Sequence, residues 1–228
     1  MNNIAEQLNL AYHNLQEKCE ALSVATDSVR VVAVSKTKPV QAIIDAYHAG
    51  QRHFGENYPQ ELYEKVQQLR AHNDICWHFI GPLQSNKTRL VAECASVVHS
   101  IDRLKIAERL SAQRPTDLPP LQVLLQVNIS REQTKSGIAV DEMLALAEAV
   151  NKLPALSLKG LMAIPAPGDS ERAFAQMQQL SATLRQHYPQ ATELSMGMSD
   201  DWPLALRYGA TMIRLGTAIF GAREYRQE

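Results

Sequence analysis

Short runs with strand character alternate with longer amphipathic runs along most of this sequence. The first such run, VRVVAVSK, follows a segment whose apolar residues recur at helical spacing. The pattern predicts eight strands, at 29–36, 53–57, 75–81, 96–102, 121–129, 156–164, 191–197 and 211–221. It predicts helices at 3–24, 40–50, 59–72, 103–113, 140–153, 170–188 and 200–210, with a short one after Asn86.

Eight strand–helix repeats favour an α/β fold with a parallel sheet, because parallel strands need crossovers and helices supply them. A doubly wound sheet is the alternative, but it usually contains fewer strands. We therefore expect a single (β/α)8 TIM barrel with an extra N-terminal helix, forming one domain over residues 1–228.

Composition and charge exclude several classes of protein. The chain has 228 residues, 45% hydrophobic, with 23 Lys plus Arg against 24 Asp plus Glu, which gives no basic excess for nucleic acid. No apolar run approaches the ~20 residues that span a bilayer, and the N-terminus lacks the pattern of a signal peptide. The three cysteines show no CxxC pair, which favours a reducing, cytoplasmic location.

The active site of a (β/α)8 barrel forms at the carboxyl ends of its strands, so polar residues at those ends are candidates. Lys36 ends the first, almost wholly apolar strand, and Lys38 follows two residues later. Partial desolvation disfavours a charged ammonium, and a neutral amine can attack an aldehyde. A solvated lysine at the strand end is the alternative. If the segment is extended, the two lysines point the same way.

A phosphate site is predicted after the last two strands. Ser199 follows the seventh strand just before a helix, and Gly216 and Thr217 follow the eighth. Backbone N–H groups at a helix start, a glycine and hydroxyls suit an anion, and barrels often hold phosphate at this position. Gly216 could alternatively be a simple turn glycine.

Arg214 interrupts an otherwise apolar strand. Burying an arginine without a partner is costly, so it either pairs with a carboxylate such as Glu56 or Glu193 or donates to a ligand. His78 could be a core histidine with its hydrogen bonds satisfied. The histidines show no metal-ligand spacing such as HxxxH with a carboxylate, so we expect no metal site.

Eight segments of this sequence, together with their order, resemble the YggS/PROSC family, the pyridoxal phosphate homeostasis proteins. They span about residues 30–221, and WHFIGPLQSNK and LSMGMSDDW are highly specific. The segments are AVSKTKP (33–39), HFGENYPQE (53–61), WHFIGPLQSNK (77–87), SIDR (100–103), LQVNISREQTKSG (125–137), LKGLMAI (158–164), LSMGMSDDW (194–202) and IRLGTAIFG (213–221).

The resemblance implies a pyridoxal 5′-phosphate (PLP) barrel similar to the N-terminal domain of alanine racemase. It assigns the Schiff base to Lys36, an arginine opposite the pyridine nitrogen to Arg214, and a position beside the cofactor to Asn57. It assigns the phosphate to Ser199, Gly216 and Thr217. It gives no role to Lys38 or Lys135.

The resemblance also implies a function. The chain is expected to store and supply PLP reversibly, without substantial turnover, as a monomer that transiently contacts PLP-requiring apoenzymes. The alternative is a one-domain amino-acid racemase. That enzyme takes a second acid or base from a C-terminal β domain, for which the 228 residues leave no room, so Lys38, Tyr58 or His78 would have to replace it. A barrel enzyme that binds sugar or nucleotide phosphates, without a Schiff base, is a third possibility.

Overall fold

The computed structural model describes residues 3–132 and 136–222. Within these ranges, eight parallel strands form a closed barrel in which each strand pairs with its neighbours in the sequence and β1 pairs with β8. The strands are β1 (Arg30–Val34), β2 (His53–Glu56), β3 (Cys76–Phe79), β4 (Val97–Ile101), β5 (Leu121–Gln126), β6 (Leu156–Met162), β7 (Glu193–Met198) and β8 (Met212–Leu215). The predicted (β/α)8 barrel is confirmed.

The helices lie in the segments between the strands, with one more at each end of the described chain. They are α1 (Ile4–Leu22), α2 (Val40–His48), α3 (Pro59–Gln68), α4 (Thr88–Cys94), α5 (Leu104–Gln113), α6 (Met143–Asn151), α7 (Ser170–His187), α8 (Trp202–Arg207) and α9 (Thr217–Phe220). Among the described residues, no helix combines the length and apolar character needed to cross a membrane.

The C-terminal part of the predicted eighth strand is instead a helix. We predicted one strand and its exit over 211–221, but β8 ends at Leu215, and Gly216 is the N-cap of the four-residue helix α9. Four residues are too few to show the 3.6-residue periodicity that identifies a helix in a sequence.

Helix α1 packs against α2, α8 and α9 on the outside of the barrel. Asn3 caps its first turn, and Leu8, Ala11, Leu15 and Cys19 form its buried face at helical spacing. Because α9 is short, α1 covers the outer surface near β8 and β1 that a longer eighth helix usually covers in this fold. The extra N-terminal helix is therefore part of the hydrophobic core.

The barrel interior contains both apolar and polar side chains. Side chains of a strand alternate between its two faces, and a separate apolar cluster lies inside the barrel, formed by Val32, Leu124, Met162 and Met212. The buried polar side chains of the interior, all at most 2% exposed, are His78, His99, Ser195 and Arg214. Buried polar side chains need partners, and here they bond to one another.

Candidate functional site

Lys36 lies in a tight turn immediately after β1. The turn is closed by a hydrogen bond of 3.0 Å from the Lys38 backbone N–H to the Ser35 carbonyl oxygen. Thr37 has a φ of 62°, in the left-handed region that β-branched residues rarely adopt. The segment is thus a turn, so the condition under which Lys36 and Lys38 would point the same way, an extended backbone, is not met.

A buried ion pair and its hydrogen bonds fix the conformation of this turn. Lys65 of α3 donates hydrogen bonds to Glu56 Oε1 (2.8 Å), Glu61 Oε1 (2.7 Å) and the Ser35 carbonyl oxygen (2.8 Å). Ser35 Oγ also donates to Glu56 Oε1, and the Thr37 backbone N–H donates to Glu61 Oε1, each at 2.6 Å. These bonds offset the strain at Thr37 and fix the position from which Lys36 projects.

The carboxyl group of Glu56 is fully buried. Burial raises its pKa, while the charge and hydrogen bond of Lys65 and the hydrogen bond of Ser35 act in the opposite direction. The Lys65–Glu56 pair is therefore buried. In the sequence, however, Lys65 follows Glu61 by four residues, a spacing typical of an ion pair on a helix surface. Sequence reasoning missed Lys65 for this reason.

The ammonium group of Lys38 is already engaged with the backbone around the end of α9. Its Nζ donates to the carbonyl oxygens of Phe220 (3.0 Å), Gly221 (3.2 Å) and Ala222 (2.9 Å). A cation at the carboxyl end of a helix is stabilised by the unpaired carbonyl groups there. Lys38 thus attaches the turn after β1 to the end of α9.

A small cavity lies between the turns that follow β1 and β8. Its volume is about 60 Å³, and its lining is formed by Val34, Lys36, Lys38, Gly216, Thr217 and Gly221. Of the sequence-predicted residues, the structure therefore brings together Lys36, Gly216 and Thr217. Gly216 is the N-cap of α9 with a φ of −112°, outside the positive-φ region that favours glycine.

Ser199 lies in the turn after β7 and is exposed, with a φ of 30°. It is outside the lining of the small cavity. The register of β7 and β8 places Met198 beside Arg214, so Ser199 lies at the same end of the barrel as Gly216. Gly197, with a φ of 91°, allows this turn to pack closely, because a Cβ there would be 2.7 Å from the Cβ of Ala205.

Asn57 directly follows β2 and is half-buried. The backbone of Gly81 packs so closely on it that a Cβ at Gly81 would lie 2.1 Å from the Asn57 carbonyl oxygen. The side-chain Oδ1 of Asn57 is buried and has no hydrogen-bond partner among the described residues. A buried acceptor without a partner costs about 1–3 kcal/mol, which a ligand that supplies a donor would recover.

Arg214 is 2% exposed and points into the barrel. Its Nη1 donates to Ser195 Oγ (2.6 Å) and its Nη2 to the Ala163 carbonyl oxygen (3.0 Å). The carboxylate pairing that we considered is wrong, because Glu56 pairs with Lys65 and Glu193 with Arg30. Burial lowers the pKa of Arg214 to about 10, so the guanidinium stays charged at neutral pH.

A chain of three histidines continues from Arg214 across the barrel interior. Ser195 Oγ lies 2.8 Å from His99 Nδ1, His99 Nε2 lies 2.8 Å from His78 Nδ1, and His78 Nε2 lies 3.0 Å from His53 Nδ1. Burial lowers the pKa values of His78 and His99 well below that of ordinary histidine, and neighbouring Arg and His charges add to the effect.

Which atoms donate and which accept in this series of hydrogen bonds follows from its first member, Arg214. Arginine can only donate, so Ser195 accepts from Arg214, and the only other partner of its hydroxyl group within the described chain is His99 Nδ1. His99 and His78 are then neutral imidazoles that each donate from Nε2. Both ring nitrogens of His78 thus have hydrogen-bond partners in the metal-free barrel.

A wide hollow lies away from these residues. It has a volume of about 740 Å³ and is lined after β5 by Asn128, Arg131, Glu132, Gly137, Ala139, Val140 and Asp141. Lys135 lies outside the described ranges. No lysine of the described chain lines this hollow.

Comparisons with known proteins identify the family of this chain. Residues 9–224 match the family model described as the alanine racemase N-terminal domain. A curated protein of Haemophilus influenzae named pyridoxal phosphate homeostasis protein is 53% identical, with 98% of this chain and 97% of that protein covered. Its namesake in Escherichia coli is 50% identical, with both chains covered completely.

Among solved structures, PipY of Synechococcus elongatus with PLP bound has a TM-score of 0.79 and 40% sequence identity. The match covers 91% of this chain and 100% of PipY. The chain therefore belongs to the alanine racemase N-terminal domain family and, within it, to the pyridoxal phosphate homeostasis proteins.

Proposed function

We propose that this chain binds PLP reversibly through Lys36 and takes part in PLP homeostasis, storing and supplying the cofactor without substantial catalytic turnover. The observation that carries this proposal is the cavity in which the Lys36 side chain, Gly216 and Thr217 meet. The names of the Haemophilus and Escherichia relatives, and the PLP bound to PipY, support it.

Bound PLP supplies an aldehyde that condenses with a primary amine, with loss of water. Two lysines of the described chain line the cavity, and the contacts of Lys38 make it the poorer candidate for this role. Lys38 donates to three carbonyl oxygens, which hold its ammonium group at the end of α9. Lys36 is half-buried and lies on a turn fixed by the Lys65 network.

The phosphate is assigned to the turns after β7 and β8. Gly216 has no side chain to keep an anion from the backbone, and Thr217 adds a hydroxyl group. Ser199 lies at the same end of the neighbouring strand, exposed and able to donate a second hydroxyl. We place the phosphate between these turns.

The ring is assigned to Asn57 and Arg214. Asn57 offers a buried oxygen without a partner among the described residues, on the strand next to β1. Arg214 is a fixed, charged donor, and a donor opposite the pyridine nitrogen leaves that nitrogen unprotonated. An unprotonated ring is a weak electron sink, which favours holding the cofactor over carbanion chemistry.

The racemase alternative needs a second acid or base beside the cofactor. Its three nominees are poorly placed for this task. Lys38 is bound to three carbonyl oxygens, His78 is buried within the histidine chain, and Tyr58 is 51% exposed. These positions support a carrier rather than a racemase.

The proposal also covers the cellular location, the oligomeric state and the partners of the protein. We infer a cytoplasmic, one-domain monomer that contacts PLP-requiring apoenzymes only transiently. Three free cysteines, two of them half-buried, are compatible with a reducing compartment.

The test is an absorption titration of the purified protein with PLP, combined with a turnover assay. The wild type and Lys38→Ala should develop the visible band of a lysine-bound cofactor, and Lys36→Ala should not. A panel of L-amino acids should show no racemisation above that of free PLP. An equal band in Lys36→Ala would contradict the site, and clear turnover would contradict the carrier function.

A further inference from the structure

The amino ends of β2 and β3, opposite the proposed cofactor site, bring together two histidines and a cysteine. His53 and Cys76 are the first residues of their strands and are directly paired in register. His78 lies two residues after Cys76, so both side chains share one face of β3. We propose that His53 Nδ1, Cys76 Sγ and His78 Nε2 form a Zn²⁺ site.

The separations of these atoms suit a tetrahedral ion. His53 Nδ1 lies 3.0 Å and Cys76 Sγ 3.5 Å from His78 Nε2, and the three atoms all lie within 4.8 Å of one another. Zn–N bonds of 2.0–2.1 Å and Zn–S bonds of 2.3 Å in tetrahedral geometry require about 3.3 Å between nitrogens and about 3.6 Å between nitrogen and sulfur. Small side-chain movements therefore suffice for coordination.

The type of ligand also selects the ion. Two imidazoles and one thiolate favour Zn²⁺ over the hard cations Mg²⁺ and Ca²⁺, which take oxygen ligands. Three protein ligands leave a fourth position for water or an exogenous ligand. His53 and Cys76 are both partly exposed, so an ion can reach them from solvent.

The positive charge of Arg30 opposes Zn²⁺ binding only in part. Arg30, the first residue of β1, forms an ion pair with Glu193, and the second carboxylate oxygen of Glu193 accepts a hydrogen bond from Thr211. Glu193 thus offsets the charge of Arg30 at this end of the barrel. The Cys76 thiol loses its proton to solvent when the ion binds, so the thiolate contributes one negative charge.

The histidine chain supplies the supporting contacts that metal-bound histidines need. When Nε2 of His78 binds the ion, its Nδ1–H donates to His99 Nε2, 2.8 Å away. The Nδ1–H of His99 then donates to Ser195 Oγ, which can accept that bond together with the one from Arg214, and the hydroxyl hydrogen of Ser195 gives up His99 Nδ1 as its acceptor. Zn²⁺ binding thus reverses the hydrogen bonds between His78 and Ser195 and leaves the one from Arg214 in place.

Full-length protein, reduced and freed of metal with a chelator, tests the site. Zn²⁺ is titrated against a chromophoric chelator, and Co²⁺ is used as a spectroscopic probe. We expect one Zn²⁺ per chain and, with Co²⁺, a near-ultraviolet sulfur-to-cobalt charge-transfer band. Cys76→Ser should lose the band and weaken Zn²⁺ binding by more than about tenfold, the minimum effect of losing even a supporting contact.

Cys94→Ser is the matched control, because Cys94 is a half-buried cysteine on α4, and it should bind like the wild type. Zn²⁺ should also slow alkylation of Cys76 in the wild type, a measurement that needs no variant. Sub-stoichiometric Zn²⁺ binding, a Co²⁺ band that persists in Cys76→Ser, or unprotected alkylation of Cys76 would overturn the proposal.

Discussion

Lys65 Nζ and Glu56 Oε1 form an ion pair, 2.8 Å apart, beneath the turn that carries Lys36, with side chains that are 6% and 0% exposed. The same ammonium group reaches the Ser35 carbonyl oxygen and Glu61, and Glu61 in turn holds the Thr37 backbone N–H. A residue of α3 therefore fixes a turn after β1, and we expect both stability and cofactor binding to depend on it.

Lys65→Met should destabilise the protein by about 3–5 kcal/mol, because it leaves the Glu56 carboxylate buried without its partner. Urea unfolding measures this change, and a PLP titration under folded conditions should show weaker binding as the turn loosens. Lys152→Met is the control, because the Lys152–Glu148 pair is exposed and its loss should leave the unfolding curve unchanged. Equal unfolding curves for Lys65→Met and the wild type would refute the structural role of Lys65.

The neutral histidines of the barrel interior predict a fall in stability at mildly acidic pH. Burial lowers the pKa values of His78 and His99 in the folded chain, so the unfolded chain binds more protons below about pH 6.5. The stabilisation is complete above that pH and is lost as the pH falls from there through the folded-state pKa values. Each histidine contributes at most about 1.4 kcal/mol per pH unit.

Urea unfolding between about pH 7.5 and about pH 5.5, with a chelator present, measures this slope. His99→Gln should reduce the slope, whatever its effect on stability at neutral pH. His13→Asn should leave the slope unchanged, because His13 is exposed on α1. If the wild type is equally stable across this range, the histidines are not held neutral.

Gly216→Ala separates phosphate binding from folding. The backbone of Gly216 has an ordinary φ, and a Cβ there would lie 3.4 Å from the Cβ and the carbonyl oxygen of Val34, an acceptable contact. The free energy of unfolding should therefore change little. A Cβ beside the phosphate should weaken PLP binding by about tenfold, as expected for the loss of one hydrogen bond to a charged group.

Pyridoxal, which lacks the phosphate, provides the comparison for this variant. Its affinity should be the same for wild type and Gly216→Ala, whereas the affinity for PLP should differ. A parallel loss for both ligands would assign Gly216 to the ring or to the lysine, and no loss for either would remove it from the site.

The barrel could be predicted from the sequence because its strands and helices alternate with different hydrophobic periods. The polar residues at the strand ends then gave Lys36, Gly216 and Thr217 as candidates, and the structure places all three around one cavity. The family resemblance, rather than the pattern, distinguished Lys36 from Lys38. The structure shows that Lys38 Nζ donates to three carbonyl oxygens, which supports our proposal of Lys36 for the Schiff base.

Other features could not be read from the sequence, because they depend on strand register. His53, His78, His99 and Ser195 come from β2, β3, β4 and β7, and only the closed barrel brings them into one hydrogen-bonded chain. Lys65 was missed because a lysine four residues after a glutamate normally lies on a helix surface. The expected absence of a metal site relied on spacing within one segment, whereas the ligands of the site that we propose, His53, Cys76 and His78, come from two strands.

Borohydride reduction of the PLP-loaded protein, followed by peptide mapping, tests the central claim most directly. Reduction fixes the cofactor on the lysine that holds it, and mass spectrometry of the peptides identifies that residue. The account predicts the modification on Lys36, at one cofactor per chain. Modification of Lys38 or of another lysine, with Lys36 left unmodified, would contradict it.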